Sequence, residues 1–402
     1  MNKLFLIIGL IIFPLIVFGQ SFNKNELKAF ADYENEKYSD VLDSLDYLLQ
    51  ANQKPELYLL KAQCLYELKK YSDAMDICVK LDRIKPRFSS SLKLKLNMEL
   101  NNTENAQLAL NENLNSTYKL SLNELLNSEE FSGIYAINLD QMALSGDYFS
   151  QTEKQLYQVE RLIDKSHFSQ ALFIIDEIIN RKWDTPDAHY FKSIVLVHEN
   201  DLRGAKNAIN SAIILKKSKA KYYIQRIHIL SELEEYDLAL TDVNKLIRIE
   251  TYNIDHYIQK ADLLFKANYF DEAQELTSKI LEILPNNPNL LYLSSKSNYK
   301  NSNYLEALLD INRAFEFKTS KEFYELRGDI YSATGTYKYA VQDYSMYLDI
   351  DPRSGEIYAK KGLARFNLGD KKGACSDWVK AKRYGSYDAV VFLEKYCNNQ
   401  NP

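Results

Sequence analysis

The chain reads as an all-α protein, a solenoid of stacked helix-turn-helix units. Three observations predict this. A small residue recurs as Ala171, Ala205, Ala239, Ala273, Ala307, Ala340 and Ala374. The step between these alanines is nearly constant, which is the mark of an internal repeat. Each interval holds two amphipathic stretches of about a dozen residues, apolar at i, i+3/i+4 and i+7, with a short break between them. Glycine (12) and proline (8) are scarce in 402 residues, while leucine, lysine, glutamate and alanine are plentiful. That is a helix-leaning palette, short of the residues that tight β-turns need.

The first segment, "MNKLFLIIGLIIFPLIVFGQ", stands apart. Its apolar run extends only from Leu4 to Phe18 and is interrupted by Pro14. A membrane-spanning helix needs about 20 residues. Val17 and Gly19 suit a signal-peptidase site, so residues 1–19 are expected to be a signal peptide cleaved before Gln20. An uncleaved N-terminal anchor is the alternative. Residues 20–118 follow as N-terminal repeats. "EKYSDVLDSLDYL" and "KKYSDAMDICVKL" place Val41 and Ala74 nearly one full repeat apart, each three positions after a tyrosine. Residues 89–118 add a third helical pair. Residues 119–151 are irregular and read either as a degenerate repeat or as a break in the array. Residues 152–388 carry seven repeats. Residues 389–402 complete a capping helix and tail, with Val390, Phe392, Leu393 and Tyr396 able to cover the last repeat.

One unit buries too few apolar side chains to offset the entropy of ordering its own backbone, so neighbours must stack into one continuous array. The recurring alanine falls where the second helix crosses the first. Helices packed roughly 8–10 Å apart need small side chains there. Ala273 is expected to face Ala261, and Ala273→Leu to cost ~1–3 kcal/mol through overpacking.

These units resemble tetratricopeptide repeats, whose pattern is an aromatic at position 4, Leu-Gly at 7–8, Tyr at 11, Ala at 20, an aromatic at 24, Ala at 27 and Pro at 32. Residues 321–354 carry it best, in Tyr324, Gly328, Tyr331, Tyr337, Ala340, Tyr344 and Pro352. The next copy holds Tyr358, Gly362, Ala374, Trp378 and Ala381. Other copies depart from it, with Ile227 or Ser295 at position 8 and Leu246 or Ile280 at position 27. The resemblance covers most of 152–388, more weakly 22–88. It implies a right-handed superhelix that binds proteins along its concave side.

The sequence lacks the common motifs that carry chemistry. There is no phosphate-binding glycine loop, no HExxH and no GxSxG. The five histidines, His167, His189, His198, His228 and His256, never pair at i+3 or i+4. Carboxylates are scattered over helix faces. A net charge of -5 with mixed signs gives no nucleic-acid footprint. Neither a cofactor nor a metal is expected. The four cysteines, Cys64, Cys78, Cys375 and Cys397, show no CxxC spacing. Similar exported repeat proteins end with a Gly-Ala-Cys-x-Asp-Trp stretch and a later cysteine, which makes Cys375–Cys397 a candidate disulfide, with two free buried thiols as the alternative. Cys64 and Cys78 lie on paired helices and could be bridged or free.

Carrying the family's concave positions onto this chain gives Tyr190, Ile194 and His198, then Ile224 and His228. The next units give Ile258, Asp262 and Phe265, then Tyr292, Lys296 and Tyr299. These suit an extended peptide or a partner helix, although half of them could simply fill the interior. The Lys/Asn clamp that some relatives use for a C-terminal carboxylate is missing. The expected function is a non-enzymatic protein-interaction scaffold of the bacterial periplasm or cell envelope, with envelope proteins as partners and no membrane span after cleavage. An architectural subunit bound through its convex face is an alternative. A glycan-handling or enzymatic site in 119–151 is a third.

Overall fold

The structure is a computed structural model and describes residues 23–129, 131 and 148–397. The expected signal peptide over 1–19, its cleavage point, most of the second half of the 119–151 bridge and the tail 398–402 lie outside the described residues. Among the described residues there are 22 helices and no strand. Twenty helices form ten pairs, numbered here as units I to X. Units I to III span 24–51, 55–84 and 90–114. Units IV to VII span 151–181, 186–215, 220–249 and 254–281, and units VIII to X span 288–315, 321–350 and 355–383. A short helix, Leu122–Asn127, stands between units III and IV, and Tyr387–Tyr396 closes the array. The chain is thus an all-α helical-repeat solenoid. None of the described helices is long and apolar enough to cross a membrane.

Local sequence sets the helix ends. Pro55, Pro186 and Pro288 open first helices, where a missing N–H costs nothing. Asn23, Asp201, Asn287, Ser354 and Asp370 cap helices by accepting backbone N–H bonds. The turn inside every unit places one residue in the left-handed region, from Glu36 and Lys69 through Glu234 and Asn268 to Gly335 and Gly369. Glycine occupies it only in units IX and X.

The recurring small residue is sealed in every unit that carries it: Ala74, Ala171, Ala205, Ala239, Ala273, Ala307, Ala340 and Ala374 are fully buried, and so is Ala261. Positions 8 and 24 trade volume. A methyl on Gly328 would come within 2.7 Å of the Tyr344 ring, and one on Gly362 within 2.5 Å of Trp378. Where position 24 is smaller, position 8 is larger, as in Ile227 with Val243, Ala261 with Thr277 and Ser295 with Ile311.

A ladder of polar contacts also runs through the array. In units VI, VIII, IX and X, position 7 of the first helix reaches an aspartate at position 23 of the second. Arg226 grips Asp242 through two nitrogens at 2.6 and 2.7 Å, and Arg327 grips Asp343 twice at 2.8 Å. Ser294 donates to Asp310 at 2.7 Å, and Lys361 lies 3.4 Å from Asp377. Unit VII lacks the acid: Lys260 stands at position 7, and Leu276 takes the place of the aspartate.

The two halves share one core. Leu94, Ala106 and Leu110 of unit III join Leu122, Leu125, Phe131 and Phe149, with Tyr157 of unit IV packed against them. Lys119 adds bonds to the Tyr148 carbonyl at 2.6 Å and to Glu153 at 2.7 Å. At the far end the Cys375 and Cys397 sulfurs are bonded, and Phe392 and Tyr396 pack on Trp378. Cys64 and Cys78 are free and buried, and burial pushes both thiols up to about 12.

The array then meets itself. The first helix of unit I packs against the first helix of unit VII. Leu27 and Ala31 enter a core with Ile247, Ile254, Tyr257 and Leu290. Phe30 stacks on Tyr252 at 4.6 Å with the rings 3° apart. Lys24 pairs with Glu282 at 2.7 Å. Glu26, buried, accepts from Lys54 at 2.6 Å. One turn of the solenoid is therefore closed between unit I and units VI to VIII.

Candidate partner-binding groove

The residues expected on the concave side fall into two groups. In the first, Tyr190 is half-buried between units V and VI, 5.5 Å from the Tyr222 ring, with the Lys221 ammonium 4.6 Å above it. Ile194 packs into the unit IV–V core. His198 is exposed and stacks on Phe168 at 3.6 Å. Ile224 is 44% exposed and His228 is exposed. Nothing among the described residues draws these last three into one site.

The second group is continuous. Lys296 holds its ammonium 4.2 Å from the Phe265 ring and 5.4 Å from Tyr292. Tyr292 stacks on Phe323 at 5.0 Å, and Tyr299 leans on Tyr304. Asp262 is engaged by Lys266 at 2.7 Å, and its charge also acts on Lys296, opposing the effect of burial there. Burial lowers the Lys296 ammonium, and burial followed by the Glu325 charge pushes the Tyr292 phenol up to about 12. Beyond Tyr299 lies an ion network: Lys360 bonds Glu325 at 2.6 Å and Asp329 at 3.0 Å, and Tyr344 donates to Asp329 at 2.7 Å. Phe265, Lys296 and Tyr292, continued by Phe323, thus form an aromatic-cationic strip across units VII to IX, ending in carboxylates.

A third feature was not anticipated. A cleft of about 860 Å³ opens where the closed turn meets itself. Of the expected groove residues only Ile258 lines it. Its other walls come from Phe30 and Glu34 of unit I, from Glu56, Leu59 and Gln63 of unit II, and from the 248–255 junction. Glu56, Leu59 and Gln63 occupy positions 2, 5 and 9 of unit II. Leu59 and Gln63 stand at the same family positions that Tyr190 and Ile194 hold in unit V, so the signal for them lies in the sequence.

Comparison with known proteins does not fix a family. No family model matches the chain. A TPR repeat-containing protein of Methanocaldococcus jannaschii, MJ1428, is 23% identical over 217 residues, half of this chain and 37% of the length of that relative. Among solved structures, a tetratricopeptide repeat protein from Parabacteroides merdae is 19% identical, covering 60% of this chain and 95% of its own, with a TM-score of 0.48. The Cut9–Hcn1 hetero-tetramer of APC/C is 13% identical, covering 94% of this chain and 91% of the other, at 0.46. YrrB, described as a TPR protein with an unusual peptide-binding site, is 20% identical over 47% of this chain and 99% of its own, at 0.38.

Proposed function

We propose that this chain is a non-enzymatic protein-interaction scaffold, exported to the bacterial envelope, which holds a segment of another envelope protein on its concave side. The observation that carries this reading is the strip of Phe265, Lys296 and Tyr292, where an ammonium lies over two aromatic rings. Aromatic rings beside a few polar groups anchor extended peptides and helices well. The mechanism is passive: a preformed surface is presented and little reorganisation is needed. The test uses residues 20–402 as bait in an envelope extract, beside Tyr292→Ala combined with Tyr299→Ala, with both captures quantified by mass spectrometry. A partner lost in the variant supports the groove. Export itself is tested by N-terminal sequencing of the chain recovered from the envelope fraction, where Gln20 should come first.

One observation favours a second reading, an architectural subunit bound through the outer face. Leu305 and Leu309, one turn apart on the second helix of unit VIII, are 67% and 62% exposed. A partner captured equally by bait and variant would favour that face.

A further inference from the structure

We infer that the cleft between units I–II and units VI–VIII is the docking site for an extended, positively charged peptide segment carrying at least one apolar side chain. This rests on the peptide-binding reading above and assigns it a place and a chemistry.

The size suits a ligand, since pockets of roughly 300–1,000 Å³ are usual for bound molecules. The walls are of two kinds. Leu59, Ile249, Ile258 and Leu284 supply apolar surface from three different parts of the turn. The charged groups are Glu34, Glu56, Glu250 and Asp255 against Arg248 alone. Glu56 shares its charge with Lys85 at 3.1 Å, and Glu250 meets His256 at 2.7 Å. Glu34 and Asp255 are exposed, with no cation among the described residues in contact. The wall therefore carries a negative potential that a lysine or arginine would complement.

The same features disfavour other ligands. A phosphate or nucleotide would face four carboxylates. A sugar needs an open aromatic face, and the two rings in the cleft, Phe30 and Tyr252, cover each other at 4.6 Å. An extended backbone, by contrast, finds polar amides on the walls. Asn287 uses its Oδ1 to cap its own helix at 3.1 Å, which leaves its Nδ2 as a donor. Asn35 uses its Nδ2 on the Ala31 carbonyl at 2.7 Å, which leaves its Oδ1 as an acceptor.

The experiment is selection of a random dodecapeptide display library on residues 20–402, followed by affinity measurement of synthetic copies of the enriched peptides. Three proteins are compared: the unaltered chain, Glu34→Gln with Asp255→Asn, and Tyr292→Ala with Tyr299→Ala. Glu34 and Asp255 are exposed, so far-UV circular dichroism and Tm should match the unaltered chain. The expected result is enrichment of Lys or Arg beside Leu, Ile or Phe, and at least ten-fold weaker binding to the Glu34/Asp255 variant. Enriched peptides without cationic bias, or peptides bound equally by that variant, overturn the cleft. Peptides lost only in the tyrosine variant overturn the cleft and leave the groove reading standing. Failure to enrich any peptide overturns both.

Discussion

Gly328 and Gly362 sit against aromatic rings that leave no space for a methyl group. The reason is a shared volume, which other units of the same chain divide differently, as Ser295 with Ile311 shows. Gly328→Ser should therefore cost ~1–3 kcal/mol through overpacking. Combined with Tyr344→Ile it should cost less than the sum of the two single changes, although the Tyr344–Asp329 bond is still lost. A double-mutant cycle from chemical denaturation reads this coupling. Strictly additive effects would show that the two positions do not share space. Lys260 is the second residue-scale case. Its counterparts in seven other units find an acid, including Lys61, Lys93 and Lys192, whereas Leu276 stands where Lys260 would meet one, and burial lowers the Lys260 ammonium below the usual lysine range. The unfolded chain then binds the proton more tightly than the folded one. Stability should rise as pH climbs through the folded-state value toward 10.5. Lys260→Met should raise stability by on the order of 1 kcal/mol at neutral pH, with the gain shrinking at alkaline pH. Denaturation midpoints at pH 7 and pH 10 check both sign and trend. The position 7–23 ladder was legible in the sequence, because its aspartates, Asp242, Asp310, Asp343 and Asp377, each follow the recurring alanine by three positions. The family pattern is written in aromatic and small residues, and an acid on a helix face looks the same in sequence whether it is paired or solvated.

At the scale of the element, the turn inside each unit is fixed by one left-handed residue. The sequence marked it where glycine stands, at Gly335 and Gly369, and was silent where Lys69 or Glu234 takes the same conformation at φ of 58° and 57°. Tertiary stacking imposes the turn there against local preference. That preference has a cost of roughly 1–2 kcal/mol for an ordinary L-residue, partly offset by the greater chain entropy glycine loses on folding. Glu234→Gly should thus stabilise the chain by about 0.5–1 kcal/mol. A lower Tm in that variant would mean that the Glu234 side chain contributes more than its backbone strain costs. The terminal helix makes a second case. It covers the Trp378 side of unit X and is tied down by the Cys375–Cys397 bond, which closes a loop over 22 residues of sequence separation. On chain-entropy grounds a loop of that size contributes about 3 kcal/mol. Cys397→Ser should loosen the helix first, because it packs on unit X alone and no later unit covers its other side. Hydrogen exchange over 387–396 should accelerate well before exchange in units VIII and IX. Equal acceleration along the whole array would make the bond a global rather than a local clip.

At the scale of the whole molecule, the period, the paired helices and the capping helix could be read from one recurring pattern. The closed turn could not. It depends on small rotations accumulated over six units and the bridge, each set by packing volumes that single positions do not announce. Phe30 and Tyr252 lie more than half the chain apart, and no local pattern joins them. The energetics say which side chain keeps the turn shut. The Lys24–Glu282 pair is half exposed and should contribute no more than ~1 kcal/mol. The Phe30–Tyr252 stack adds about 0.5–1.5 kcal/mol beyond its area. Leu27, 2% exposed in a core that apart from Ala31 is built from units VI to VIII, contributes about 1.5–3 kcal/mol. Truncating Phe30 alone should therefore leave the turn closed, and high salt should barely move it. Leu27→Asp should open it, since a carboxylate in that core lacks a cation. Small-angle scattering would show a larger radius of gyration for Leu27→Asp, while far-UV circular dichroism keeps its helical content. The same variant should lose the cleft, and with it any peptide that depends on Glu34 and Asp255 together. Binding through Tyr292 and Tyr299 should persist, because the strip of Phe265, Lys296 and Tyr292 lies within units VII to IX and needs no contact from unit I. An unchanged radius of gyration in Leu27→Asp would mean that the curvature of the stacked units, rather than the contact between first and seventh, holds the turn closed.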